Sequence, residues 1–295
     1  MNGSAVLDTY RYLRGGMAVM IVLLGAAVLI ERSHATCWQT SISAYYFTSA
    51  HSVFVAALCA IGAMLIVYKG SNDTEDILLN LAGILAFVVA MVPTSRPVLF
   101  CGSTDLNIGG QSAIANVWAV VIALVVSRAA VWWMYRRTGT TPRCSALGTA
   151  AVWVQRLLLA VGLLTLVMAP EWFRLNAHGI AAVAMFGSII LTVVITAFVT
   201  GNQDVGKCPH RRRYQMIYQW ISAAMALTLV AAVCLHQTLD GFNYAILVVE
   251  AALILEFAVY WVVQTIELWG TPTRASLMAQ WDQSPRRASR MLRAL

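Results

Sequence analysis

Charge is what this chain has least of. Only 11% of its residues are Asp, Glu, Lys or Arg, against 60% apolar, and an ordinary water-facing domain carries about twice that charged share. Its only lysines are Lys69 and Lys207. Both fall at the ends of apolar runs, so a retinal-type Schiff base, which needs a lysine inside a bundle, is excluded. No G-x-x-x-x-G-K-[ST] or G-x-G-x-x-G string occurs, which removes nucleotide-driven work. No histidine lies deep in an apolar run, so a haem held between spans lacks axial ligands. H-x-x-x-H and H-E-x-x-H spacings are absent as well, as are low-complexity segments and a shared motif between the two halves. The expected cofactor set is therefore empty.

What the chain has in quantity is apolar length. Its mean hydropathy is +0.72, and eight apolar runs alternate with polar connectors: 14–31, 51–68, 77–92, 112–135, 152–168, 177–200, 215–235 and 242–263. A helix crosses the hydrocarbon with about 17–25 such residues. Lipid offers no partner to an open strand edge, so the runs are expected to be helices. The reading is an all-α, polytopic transmembrane bundle of about eight spans over residues 1–270, followed by a basic cytoplasmic tail, 271–295. The first run lacks a small-x-small cleavage site and reads as a retained anchor.

Arginine supplies the orientation. Arg11 and Arg14, Lys69, Arg136 with Arg137 and Arg143, Lys207 with Arg211–Arg213, and Arg274 with Arg286, Arg287, Arg290 and Arg293 all fall on alternate connectors. The opposite connectors hold only Arg32, Arg96 and Arg174. The positive-inside bias then places both termini in the cytoplasm. The same bias accounts for the net charge of +7 and leaves no basic face that calls for nucleic acid. In the tail, Leu277, Met278, Trp281, Met291 and Leu292 interleave with arginines. That pattern suits a segment lying on the anionic inner leaflet, or a solvated tail.

Candidate site residues come from polar groups at membrane depth. Glu250 and Glu256 sit within the last run. A charge at that depth is costly, by about 2.5–3.5 kcal/mol on insertion scales, so it normally faces protein or water. Six residues apart, the two glutamates do not share a helix face. Glu250, with Thr228 at comparable depth and Ser188 slightly deeper, is the expected substrate-binding set. Arg128 and Glu256, at similar depth on different spans, are the expected structural ion pair. Cys37 and Cys101 fall in the two long outer connectors, where an oxidising outside would join them in a disulfide. Cys208-Pro209-His210 with Cys144 lacks zinc-finger spacing. His51, His178 and His236 each end a span on the outer side and form the lesser reading, a metal cluster with Asp105 or Glu171 nearby. The expectation is no bound metal.

One local string stands out: Ser41-Ile42-Ser43-Ala44-Tyr45-Tyr46, just ahead of the second run. Its hydroxyls and rings suit an interfacial or re-entrant segment. With Lys69-Gly70, Asn80-Leu81-Ala82-Gly83, Pro93-Thr94, Glu250-Ala251 and Tyr260-Trp261, it resembles a family of bacterial multi-span membrane proteins to which no activity is attached. The resemblance covers the first third and the last span. It implies a bacterial inner-membrane protein and adds no catalytic residue. Three functions follow as expectations: binding or moving a lipid-like or small substrate past Glu250; serving as an accessory subunit that docks a membrane partner or a second copy; and, as the lesser reading, acting as a membrane-embedded metal hydrolase. The lipid bilayer is the one partner all three share.

Overall fold

The computed structural model describes residues 3–97, 100–106, 110–139, 144–200, 209–238, 244–274 and 276. Most of the basic tail, Cys208 and the head of the eighth apolar run at Phe242 lie outside them. Every regular element among the described residues is helical: α1 Gly3–His34, a 3-10 helix Ser43–Phe47, α2 His51–Val67, α3 Asp73–Met91, α4 Gly110–Thr138, α5 Ala146–Met168, α6 Pro170–Val194, a π turn Ile195–Thr200, α7 Pro209–Thr238 and α8 Ala245–Glu267. Seven of the eight α-helices are long and apolar enough to cross a membrane; α2, at 17 residues, is shorter.

Local chemistry sets several helix starts. Asn72 accepts from the Glu75 amide at 2.9 Å and leaves Asp73, Glu75 and Asp76 in the first turn of α3, where the helix dipole favours negative charge. Ser145 caps α5 in the same way, accepting from the Gly148 amide at 3.0 Å. It also donates to Asp73, through its amide at 2.5 Å and its hydroxyl at 3.0 Å, tying the start of α5 to the start of α3. Pro170 opens α6, where its missing N–H costs nothing.

The helices share the buried volume unequally. α3 and α6 are the most enclosed, while α4 and α5 are almost wholly exposed and pack mainly against α3 and α6. α2 lies against α3, α1 against α2 and α8, and α7 against α6 and α8. The α2–α3 crossing is close, because a glycine stands on each side of it. A Cβ at Gly83 would come 2.5 Å from the Gly62 carbonyl oxygen, and one at Gly62 would come 2.8 Å from that of Gly83. Small residues are what let membrane helices approach this closely. One apolar core, with Met17, Leu65, Ile189, Met225 and Trp261, fills the half nearer the chain termini. A second, with Leu24, Val28, Tyr45, Phe54 and Leu247, fills the other half.

Candidate functional site

Polar groups gather at the two ends of the bundle. At the end away from the termini, Cys37 and Cys101 are joined in a disulfide with their α-carbons 5.2 Å apart. Glu31, at the end of α1, accepts from the amide of Ser103 at 2.6 Å and its hydroxyl at 2.9 Å, and from Ser49. The Leu106 amide donates to the Phe47 carbonyl at 2.9 Å, and Arg96 pairs with Asp105. These contacts fold both long connectors over the bundle. The 3-10 helix Ser43–Phe47 is pressed into it, with Ala44, Tyr45, Tyr46 and Phe47 buried. Burial pushes the phenol pKa values of Tyr45 and Tyr46 up.

Glu250 holds that plug. Its Oε2 accepts from the amides of Ile42 at 2.7 Å and Ser43 at 3.3 Å. The other two members of the expected substrate set stand apart from it. Thr228 donates to Glu256 Oε1 at 3.0 Å, and Ser188 donates to the Ala184 carbonyl of its own helix at 2.8 Å. Arg128 lies on an exposed face of α4, so Glu256 takes its hydrogen bond from Thr228. His178 is buried, with Nδ1 2.7 Å from the Val92 carbonyl; His51 Nδ1 lies 2.7 Å from the Tyr46 carbonyl; His236 is exposed. Among the described residues no three His, Cys, Asp or Glu side chains gather as a metal site.

The denser cluster is at the terminal end, and the sequence reading did not assemble it. Arg14 is fully enclosed (0% exposed). Its Nε donates to the Tyr68 hydroxyl at 3.1 Å, its Nη1 to the Leu268 carbonyl at 3.2 Å and its Nη2 to the Pro272 carbonyl. Tyr68 donates to Gln264 Oε1 at 3.4 Å, and Gln264 Nε2 donates to the Tyr260 hydroxyl at 3.2 Å. Trp261 packs edge-on against both tyrosines, its ring centroid 5.1 Å from each.

Beside this relay lies Arg274, 2% exposed. Its Nη2 donates to Glu267 Oε2 at 2.7 Å and its Nε to Glu267 Oε1 at 3.2 Å, a two-point fork. Its Nη1 reaches Thr196 Oγ1 at 3.4 Å, and Thr196 in turn donates to Glu75 Oε1 at 3.0 Å. The guanidinium carbon sits 4.9 Å from the Tyr218 ring centroid, a cation–π distance, while the Tyr218 hydroxyl donates to Glu267 at 2.6 Å. Burial opposes the Arg274 charge, but Glu267, Tyr218 and Glu75 together outweigh it and hold its pKa above the ordinary arginine value.

Five elements supply the pieces: α1 gives Arg14, α3 gives Glu75, the π turn gives Thr196, α7 gives Tyr218, and α8 gives Gln264 and Glu267. The π turn matters because widened turns of this kind recur at functional sites. A signal for the cluster was present in the sequence. Glu75 and Glu267 are acidic residues at span ends on the arginine-rich side, where positive-inside bias gives them no role. Arg274 is paired with the buried Glu267 and reaches Glu75 through Thr196, while Arg14 holds Tyr68 and two backbone carbonyls beside them. Compared with protein families, with curated proteins and with solved structures, the chain matches none.

Proposed function

We propose that this protein crosses a bacterial inner membrane eight times, with α2 as the short second span and both termini in the cytoplasm, and that it binds or moves a small or lipid-like substrate through the bundle. The observation that carries the reading is a pair of polar closures at opposite ends of one apolar bundle. Glu250 latches the 3-10 plug at one end, and the Glu267–Arg274 fork closes the other. Buried charges at membrane depth are costly and are usually retained for a pathway. A bundle needing only to stand would be as stable with apolar residues there.

The test is solute uptake into vesicles holding the purified protein. Glu250→Gln keeps the shape of the side chain and one acceptor oxygen but loses the charge that draws the Ile42 and Ser43 amides. Uptake is expected to fall at least about tenfold, the ratio that a 1.4 kcal/mol loss of latch energy produces, while the protein stays folded. Unchanged uptake would refute the role of Glu250.

The disulfide tests orientation, because such a bond persists on the oxidising side. Protein extracted from cells without reductant is expected to hold Cys37–Cys101 closed, shown by a gel shift on reduction that Cys101→Ser abolishes. A bond found open in freshly extracted protein would place that end inside. The same substitution is expected to lower stability by about 2 kcal/mol, the modest value reflecting the Glu31–Ser103 and Phe47–Leu106 hydrogen bonds that hold the same connectors.

A second reading, an accessory subunit, has its own observation. Arg128 lies on the exposed face of α4, ten residues, or about 15 Å, from the helix end. A partner helix supplying a carboxylate at that depth would cover it. Co-purification of a stoichiometric membrane partner, lost in Arg128→Leu, supports this reading; a partner retained by that variant sinks it.

A further inference from the structure

We infer that Arg128 of α4 and Arg156 of α5 form a seat for a transmembrane helix of another protein, one that carries a carboxylate at their depth. The inference rests on the accessory-subunit reading above, adds α5 to the docking surface and names the chemistry of the partner.

The two arginines match in depth. Arg128 stands ten residues before the end of α4 at Thr138, and Arg156 ten residues after the start of α5 at Ala146. Each is about 15 Å along its helix from the connector that joins the two. Both are exposed. Arg128 has no hydrogen-bond, ion-pair or ring partner among the described residues. Arg156 lies over the Trp153 ring, its guanidinium carbon 5.5 Å from the centroid. Neither helix contains an Asp or Glu. Arginine at membrane depth normally pairs within protein or faces water, so two of them turned outward at one depth mark a surface that the single chain leaves incomplete.

Packing leaves the same surface open. The first half of α4 is held, with Val117 in one cluster with Val92, Leu166, Phe173 and Ala177. From Val125 to Thr138 every residue is exposed, so the second half of α4 stands clear of the bundle on all its faces. α5 keeps one stripe on the bundle, with Gly148, Gln155 and Leu166 buried. It turns Arg156 outward together with Leu157 and Leu158. The surface on offer is therefore apolar helix with one cation on each side, which a largely apolar helix with one anion complements.

Depth selects a carboxylate on a helix over a lipid phosphate. Arg136 and Arg137 stack on Trp132 and Trp133, a belt of the kind that sits at headgroup level. Arg128 lies eight residues, or about 12 Å, from Arg136 along the helix. That is farther than one side chain reaches, whereas a helix brings a carboxylate to any depth. A second copy of this chain offers no free carboxylate there. Glu250 is held by the Ile42 and Ser43 amides. Glu256 is held by Thr228, and its other oxygen is enclosed within the bundle. The partner is thus a different protein, and pairing removes the penalty of its acid together with that of the arginines.

The probe is a synthetic leucine helix of about 20 residues, long enough to span, with one Asp at its centre; Asn and Leu at that position are the comparisons. Energy transfer from the tryptophans of the purified full-length protein to a dansyl group on the peptide, in phosphatidylcholine vesicles, reports association. The Asp peptide is expected to bind saturably and at least about tenfold more tightly than either comparison. Arg128→Leu and Arg156→Leu are each expected to weaken it. The double variant is expected to lose the preference with its Tm unchanged, because both side chains are exposed. Equal binding of the three peptides to the wild type, or an Asp preference that survives the double variant, would overturn the seat. Loss of the preference when phosphatidylglycerol is added would assign the arginines to lipid phosphate and overturn it too. So would a wild-type dimer that Arg128→Leu dissolves, which assigns them to a second copy. Co-purification separates this inference from the subunit reading. A partner lost in Arg128→Leu but kept in Arg156→Leu keeps the subunit and removes the two-helix seat. An Asp preference that needs both arginines, in protein that carries no partner, keeps the seat and removes the subunit.

Discussion

Glu267→Ala is expected to be the most damaging removal of a single charge in this protein. The carboxylate accepts from Arg274 Nη2 and Nε and from the Tyr218 hydroxyl, and both members of the ion pair are nearly enclosed, with side chains 2% and 7% exposed. Breaking one partner of such a pair strands the other, and the cost is set by the stranded charge more than by the lost attraction. The expected loss is about 3 kcal/mol, the low end for a buried pair, because Arg274 lies on a segment past the last span and can carry its charge back to water. The measurement is thermal unfolding in mild detergent. A double variant, Glu267→Leu with Arg274→Met, is expected to recover most of the loss, because two matched apolar side chains leave nothing uncompensated. A Glu267→Ala protein as stable as the parent would mean that the fork contributes nothing to the fold.

Gly83→Val is expected to open the α2–α3 crossing. Even the first carbon of a side chain at this position would sit 2.5 Å from the Gly62 carbonyl oxygen and 2.7 Å from Ile66 Cγ1. A backbone oxygen cannot swing aside as a side chain can, so the helices must separate. Overpacking of this kind costs about 3 kcal/mol at its upper range, and a β-branched residue adds atoms in the same direction. Gly187 in α6 is the control. A Cβ there meets nothing within 4 Å, so Gly187→Ala is expected to be neutral or to stabilise by about 0.5–1 kcal/mol through lost backbone freedom in the unfolded chain. Equal stability of the two variants would show that the close approach at Gly62 and Gly83 is not what holds α2 to α3.

Much of the fold was legible because membrane helices are written in runs. Within the described residues each of the eight apolar runs falls on one α-helix, the sixth running on through the π turn. Helices joined by short connectors are neighbours: α5 packs on α6, and α7 on α8. Hydrophobic length is a local property, so it survives without tertiary information. The helix ends were less visible. α1 begins well before the apolar run and carries Arg11 and Arg14 within the helix, because a polar helical turn continues past the hydrocarbon as long as its backbone bonds are kept.

The candidate site was legible only in fragments. Depth counting selected Glu250, Thr228, Ser188, Arg128 and Glu256, because depth is what a sequence reports about a span. It gives no rotation and no neighbour order. In the structure Glu250 meets the backbone of a connector more than two hundred residues earlier in the chain, and Thr228 turns to Glu256. Arg14 and Arg274 read as orienting charges for the same reason: a sequence shows that an arginine is near a span end, not whether it points outward to headgroups or inward to a carboxylate.

By itself the sequence determined the composition class, the helical character and the approximate limits of the apolar helices, since apolar length and backbone satisfaction in lipid leave a helix as the answer for each run. It also marked Cys37 and Cys101 as able to meet. Only the tertiary structure decided which polar groups share a pocket. Arg14, Glu75, Thr196, Tyr218, Glu267 and Arg274 come from six separate segments, and their convergence depends on helix rotation and on the small-residue approach at Gly62 and Gly83. Both are fixed by side-chain packing between helices, a property of pairs of segments that no single stretch of sequence contains.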